Sequence, residues 1–180
     1  MEDPGEHLVG QYLKELKNCD FVAYNLQTKF VQGEIDVVGI DSIKKKVYIC
    51  EVATHLETGL QYTKKGSPDN VIRFIKKFEK NIKYAKMNFN GYEVSFMLWT
   101  PIIRIPKKEI TIHNQLKDIE EIRFVIQEKY DIEIKLVYNE DYLNCIKELR
   151  KKAKATTQAM SSPIMRFLQI EEKLLQICKE

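Results

Sequence analysis

Apolar residues fall along this chain in alternating helical and strand rhythms. Leu8, Val9, Tyr12, Leu13 and Leu16 recur at helical spacing and predict a first helix over 4–17. Asp3 suits its N-cap, Pro4 its first position, and Glu6 sits three residues beyond the cap, as in a capping box. Three strand candidates follow at 21–26, 35–40 and 47–54, the second entered through Gly33 and the third after a polar turn. Residues 59–68 read as a loop with Gly66-Ser67-Pro68. Asp69 or Asn70 then caps a helix reaching about residue 86, with Val71, Phe74, Ile75, Phe78, Ile82 and Ala85 as its apolar stripe.

The later rhythm continues the alternation. A buried strand carrying Trp99 is predicted over 92–100, a connection over 101–112 with a short strand at its end, and a helix over 118–130. A strand over 132–138 and a basic helix over 141–155 come next. After a break at 156–163, Ser162 and Pro163 start a last helix striped by Phe167, Ile170, Leu174 and Ile177. That stripe suits packing on the chain's own domain, with a dimer seam as the alternative. The fold class expected is α/β, with a central mixed sheet, antiparallel at its start, and flanking helices. Residues 1–140 form the domain, and 141–180 form a helical C-terminal extension packed on it or used in a homodimer.

At 180 residues, the chain supports one sizeable core and is short for two domains. A composition of 44% hydrophobic and 31% charged residues excludes an intrinsically disordered chain. Cys19, Cys50, Cys145 and Cys178 form no CxxC pair, which argues against zinc and for reduced thiols. With neither a signal sequence nor an apolar run of membrane-spanning length, the expectation is a cytoplasmic protein without a membrane partner. The net charge of +3 is too small to identify nucleic acid by itself. The helix bearing Arg73, Lys76, Lys77, Lys80 and Lys83 does have a basic face. With Lys64 and Lys65 in the preceding loop, it is the candidate phosphate contact, and an ordinary solvated face is the plain alternative.

The candidate chemistry lies on the second and third strands. Asp36 and Glu51 sit in apolar surroundings where acids are disfavoured. Glu34 shares a face with Asp36, and Glu51 shares one with Val47, Ile49, Ala53 and His55. A hairpin with the acids inward brings Asp36 and Glu51 together. No basic partner is evident nearby, so a hard divalent cation, Mg²⁺ or Mn²⁺, is the natural compensation. Such an ion acidifies water and stabilises phosphoryl charge.

The runs Gly33-Glu34-Ile35-Asp36-Val37-Val38-Gly39-Ile40-Asp41 and Val47-Tyr48-Ile49-Cys50-Glu51-Val52 resemble the PD-(D/E)XK, or restriction-endonuclease-like, nuclease superfamily. Glu6 on the preceding helix is similar to the pattern of archaeal Holliday junction resolvases, and 33–41 resembles the mismatch-type endonucleases. The likeness covers roughly the first hundred residues, in the order helix, three strands, helix, strand. It implies a restriction-endonuclease-like core and Mg²⁺-dependent hydrolysis of phosphodiester bonds in DNA, with RNA left open. By the same resemblance Asp36 and Glu51 are metal ligands, the Val52 carbonyl a third, Glu6 an accessory metal or water ligand, and Glu34 a further candidate.

The sequence departs from the pattern where a lysine is wanted two residues after the second acid. Ala53 stands there. A lysine relocated from Lys64, Lys65, Lys76 or Lys77 is one expectation, and substitution by Thr54, His55 or Gln61 is another. The third is an inactive module of the same fold that binds nucleic acid or a protein partner.

Overall fold

In the computed structural model, residues 3–27, 33–105 and 113–178 are described. A five-stranded mixed sheet forms the centre. Helix α1 (Pro4–Leu16) leads into β1 (Phe21–Gln27), β2 (Glu34–Asp41) and β3 (Lys46–Val52). A two-stranded hairpin, β4 (Thr63–Lys64) and β5 (Ser67–Pro68), precedes α2 (Asn70–Asn88) and β6 (Glu93–Trp99). The chain continues through α3 (Gln115–Tyr130), β7 (Ile134–Val137), α4 (Asn139–Ala155) and α5 (Pro163–Ile177). The sheet order is β1-β2-β3-β6-β7. β1, β2 and β3 pair antiparallel, as expected of a meander, whereas β3-β6 and β6-β7 are parallel and crossed over by helices.

Each face of the sheet buries its own apolar layer. Val38, Val47, Ile49, Phe96 and Leu98 pack under Phe74, Phe78 and Ile82 of α2 and Ile119, Ile122 and Ile126 of α3. On the other face, Val37, Cys50, Val52, Met97 and Trp99 pack under α1, α4 and α5. The period of two in the strands and of 3.6 in the helices is what lets one sheet serve both layers. Residues 141–155 and α5 therefore pack on the same sheet face as α1, with Tyr142, Leu149, Met165 and Leu168 buried there.

Helix α1 lies very close to the sheet. A β-carbon at Gly10 would fall 2.0 Å from the Tyr24 hydroxyl oxygen and 2.5 Å from two ring carbons. At Gly39, directly beneath, it would meet Leu13 Cδ1 at 2.9 Å and Cys19 Sγ at 3.0 Å. Close approach, rather than a turn, explains a glycine inside each element. At the helix entry the Asp3 side chain accepts from the Gly5 backbone N–H at 2.7 Å. The capping-box reading of Glu6 is not realised, because Glu6 turns towards the sheet and accepts from Asn25 Nδ2 at 2.9 Å.

Several sequence expectations change. The expected loop at 59–68 contains the β4–β5 hairpin, turned by Lys65 (φ 51°) and Gly66 (φ 81°). Two successive positive φ angles suit the twist of a tight hairpin. Asp69 occupies the N-cap of α2 without a side-chain cap bond. Asn70 instead bonds Tyr62 N–H, the Leu60 carbonyl and Asp118, tying the hairpin to the start of α3. The α5 stripe of Phe167, Ile170, Leu174 and Ile177 does not cover the domain. The opposite face does, through Met165, Leu168 and Gln169, and the stripe is exposed. The short strand expected at the end of 101–112 lies outside the described residues. All four cysteines are free thiols, two of them buried. No helix among the described residues is long and apolar enough to cross a membrane.

The close approach of α1 gives the first prediction. Gly10→Ala forces a methyl group into the Tyr24 ring and should destabilise the fold by about 1–3 kcal/mol, the usual range for overpacking. Chemical denaturation measures it, and an unchanged midpoint would remove the steric reading of Gly10.

Candidate functional site

Asp36 begins its strand just after the left-handed Gly33, and Glu51 ends the neighbouring one. The β2–β3 register runs through Val37↔Cys50, so Asp36 and Glu51 occupy the next opposing positions. Antiparallel pairing puts the start of β2 beside the end of β3. The acids thus stand at the carboxyl edge of the parallel strands β3, β6 and β7, the edge where open α/β sheets commonly bind ligands. Both face the layer under α2. Asp36 is 4% exposed and Glu51 is 0% exposed.

Two buried carboxylates at this spacing require compensation. The sequence shows no nearby base, but the helix overhead supplies one. Lys77 Nζ lies 3.2 Å from Asp36 Oδ1 and 3.1 Å from Oδ2, and it also pairs with Glu51 Oε2. The Val52 N–H donates to Asp36 Oδ2 at 2.8 Å, so the side chain caps the end of the strand ladder. One turn beyond Lys77, fully buried Asn81 donates from Nδ2 to Glu51 Oε1 at 2.6 Å. The i, i+4 spacing on α2 is what sets Lys77 and Asn81 side by side over one carboxylate. Glu51 Oε2 is taken by the Lys77 ammonium, and one buried oxygen of the cluster, Asn81 Oδ1, remains without a hydrogen bond.

The charges follow from this burial. Desolvation, reinforced by the charge of Asp36, pushes the Glu51 carboxyl up to about 7. Burial works against the Lys77 ammonium, but Glu51 and Asp36 more than offset it and hold its pKa above the ordinary lysine value. Glu6 is raised by desolvation and, against the Asn25 bond, by Asp36 and Glu34. Lys80 is lowered by burial, within the fields of Glu51, Asp36 and Glu34, and it donates to the Glu34 backbone carbonyl. Glu6, Glu34, Asp36 and Glu51 thus lie within electrostatic range of Lys77 and Lys80 or of one another.

Ala53 is 2% exposed and belongs to the same apolar cluster as Leu60, Phe74 and Ile103, in the layer under α2. The strand position is filled by core, and the helix delivers the ammonium instead. Of the four lysines considered for relocation, Lys77 is the one that meets the acids among the described residues. Lys64 and Lys65 are exposed on the β4–β5 hairpin, and Lys76 is exposed on α2 beside Glu79, Lys80 and Lys83. Lys77 is correspondingly committed to the acids rather than to the exposed basic face. Arg73 lies over the Tyr62 ring at 4.3 Å and is exposed. Of the expected substitutes, Thr54 is engaged elsewhere, its hydroxyl bonding Asp3 at 2.6 Å. His55 packs against Tyr62, and Gln61 is exposed. Glu34 is exposed and contributes its backbone carbonyl. His113, which carried no partner pattern in the sequence, lies 2.6 Å from Asp118. Asn81 was not singled out from the sequence. It lies one helical turn after Lys77, on the buried side of α2.

The fit to a divalent cation can be tested on these atoms. Mg²⁺ commonly takes one or two protein carboxylates and completes its shell with water and substrate oxygens. Among the described residues, no three His, Cys, Asp or Glu side chains form a metal cage. The two carboxylates from adjacent strands, together at the sheet edge, do suit such a sparse, all-oxygen site. No protein-family model matches the chain, and no curated protein matches it.

Two predictions concern the pair. Lys77→Met keeps the length and removes the charge, leaving the carboxylates buried against each other. It should cost about 3–5 kcal/mol, the range for breaking a buried ion pair, and Glu51→Gln in the same chain should recover part of the loss. Additive effects in that double-mutant cycle would dissolve the proposed coupling. The second prediction is a pH effect. Because the folded Glu51 pKa is raised, the native state holds that proton more tightly than the unfolded state. Its contribution is fully present below about 4.5 and is lost as pH rises through about 7. In chelator, wild-type stability should therefore fall relative to Glu51→Gln across that window. Parallel stability profiles would contradict the burial of this carboxyl.

Proposed function

We propose that the chain is a metal-dependent nuclease of the restriction-endonuclease-like kind, hydrolysing phosphodiester bonds in DNA. The observation that carries this reading is the Asp36–Glu51–Lys77 cluster: two buried acids from adjacent strands and an ammonium delivered beside them. The fold supports it, because helix α1, the β1–β3 meander, α2 and the parallel β6 follow the order that the resemblance implies. Asp36 and Glu51 would hold Mg²⁺ or Mn²⁺, with the Val52 carbonyl completing the protein share. When bound, the ion supplies acidified water and stabilisation of phosphoryl charge.

The chain's own residues have definable parts. Lys77 takes the place that Ala53 leaves empty. Its ammonium is a positive charge beside the acids, available to a scissile phosphate and to the water that attacks it. Asn81 fixes the orientation of Glu51, and the Val52 N–H fixes that of Asp36. Glu6 stands at the rim as an accessory acid, held by Asn25. Lys64, Lys65, Arg73 and Lys76 are the exposed cations for the phosphate backbone.

The rival reading is a noncatalytic module of this fold that binds nucleic acid or a protein partner. The observation behind it is that Lys77 already neutralises part of the acid pair. A cleavage panel of duplex, single-stranded, branched and mismatched DNA, with RNA controls, in Mg²⁺ or Mn²⁺ separates the two. Cleavage should be lost in Asp36→Asn and Glu51→Gln, and calorimetry should show weakened Mn²⁺ binding in both. Lys77→Ala should lose turnover while retaining DNA binding, as expected for a group acting in the transition state. Cleavage that survives all three substitutions would place the chemistry elsewhere. Absence of wild-type cleavage across the panel would favour the noncatalytic module.

A further inference from the structure

The exposed stripe of α5 is independent of the acidic site. Phe167, Ile170, Leu174 and Ile177 are spaced three, four and three residues apart, the a/d rhythm of a coiled-coil seam. Phe167 is 66% exposed and Ile177 is 67% exposed, with Ile170 and Leu174 about half exposed between them. The helix is already anchored on its other side by Met165, Leu168 and Gln169. Burying the stripe against its own domain would require rolling those residues out of the core. Along the stripe, Phe167 and Ile177 therefore lack a covering surface among the described residues, while Ile170 and Leu174 are half covered and border a groove shared with Ala153, Thr156 and Thr157.

Flanking charges indicate what covers it. With Phe167 and Leu174 at a and Ile170 and Ile177 at d, Arg166 and Lys173 fall at g and Glu171 falls at e. In a parallel pair, g of one helix faces the following e of its partner. Arg166 of one copy then faces Glu171 of the other, and two-fold symmetry makes the pair twice. In an antiparallel pair Arg166 would face Lys173, and Glu171 would face Glu171. The charge pattern is thus complementary to itself in one orientation and repulsive in the other. Glu171 is already held at the rim of the seam by Arg150, whose Nη2 lies 2.7 Å from Glu171 Oε2.

We infer that α5 is a self-association surface: the Phe167–Ile177 stripe pairs in parallel with the same stripe of a second copy of this chain. The seam is only about three turns long, well short of a standard interface of roughly 1,200–2,000 Å². Association through it is reversible and concentration-dependent. Leucine at a with isoleucine at d shifts the preference of such a seam from two strands towards three or four, and the measured mass gives the number.

Sedimentation velocity of the full chain over a wide concentration range tests this. The mass should rise from monomer to a dimer or a larger closed multiple. An Ile170→Glu, Leu174→Glu variant should remain monomeric over the same range with an unchanged circular dichroism spectrum, since both side chains are half exposed. Arg166→Glu should weaken association in the parallel arrangement, and strengthening would overturn that orientation. In a Cys178→Ser background, Ile170→Cys should give a disulfide-linked dimer on mild oxidation. A wild type that stays monomeric throughout would overturn the inference, as would a double variant that associates like the wild type. Recovery of a monomeric wild type on vesicles of phosphatidylcholine and phosphatidylglycerol would assign the stripe to a lipid surface instead.

Discussion

The ammonium of Lys77 between two buried carboxylates is the interaction on which the rest of the site depends. Asp36 and Glu51 lie in a layer otherwise made of Val, Ile, Leu and Phe side chains, where an uncompensated charge is expensive. The strand register brings the acids together whether or not a base is present. What makes the arrangement tenable is α2, which must lie across the sheet at a position that drops Lys77 onto both acids and Asn81 onto one. That position is set by Phe74, Phe78 and Ile82 beneath the helix and by Asn70 at its start. Packing and charge compensation are therefore one constraint: the apolar stripe of α2 aims its polar residues.

The arrangement also explains Ala53. A lysine on the strand would leave the same face as Glu51, into the apolar layer under α2. A small side chain there lets α2 approach, and the approach brings its own lysine within reach. Moving the charge from strand to helix ties the site's electrostatics to helix docking. A shift of α2 by even one ångström would alter both ion pairs, because the ammonium is shared between them. In a site built wholly on the strands, the same shift would leave the charges in place.

Much of this was legible in the sequence because it rests on local periodicity. The meander, the crossover helices and the alternation that points Asp36 and Glu51 inward all follow from periods of two and 3.6. Relocation of the missing lysine was open among four candidates, since Lys64, Lys65, Lys76 and Lys77 differ only in where tertiary packing aims them. Lys76 and Lys77 are adjacent, yet one is exposed and the other shares the buried acids. A helix turns 100° per residue, so a small error in its predicted rotation exchanges the two. Asn81 was missed for a related reason: an amide inside a helix carries no signal until a buried carboxylate is placed opposite it. The α5 stripe failed differently. Its helix has two apolar faces, and periodicity cannot say which one the domain uses.

The remaining question is why such a cluster is kept inside an apolar layer. A well-packed apolar substitute for a buried ion pair is often equal or better for stability. Stability alone therefore gives little reason to bury two acids, a lysine and an asparagine at the end of two strands, still less to leave Asn81 Oδ1 without a hydrogen bond. Departures from local consistency of this kind concentrate where a protein does chemistry or binds a ligand. The cluster stands at the carboxyl edge of the parallel strands, with further acids at its rim. A ligand that is positive and hard is the kind that acids at this edge would take. This is the physical ground for preferring a metal-dependent site over a purely structural ion pair.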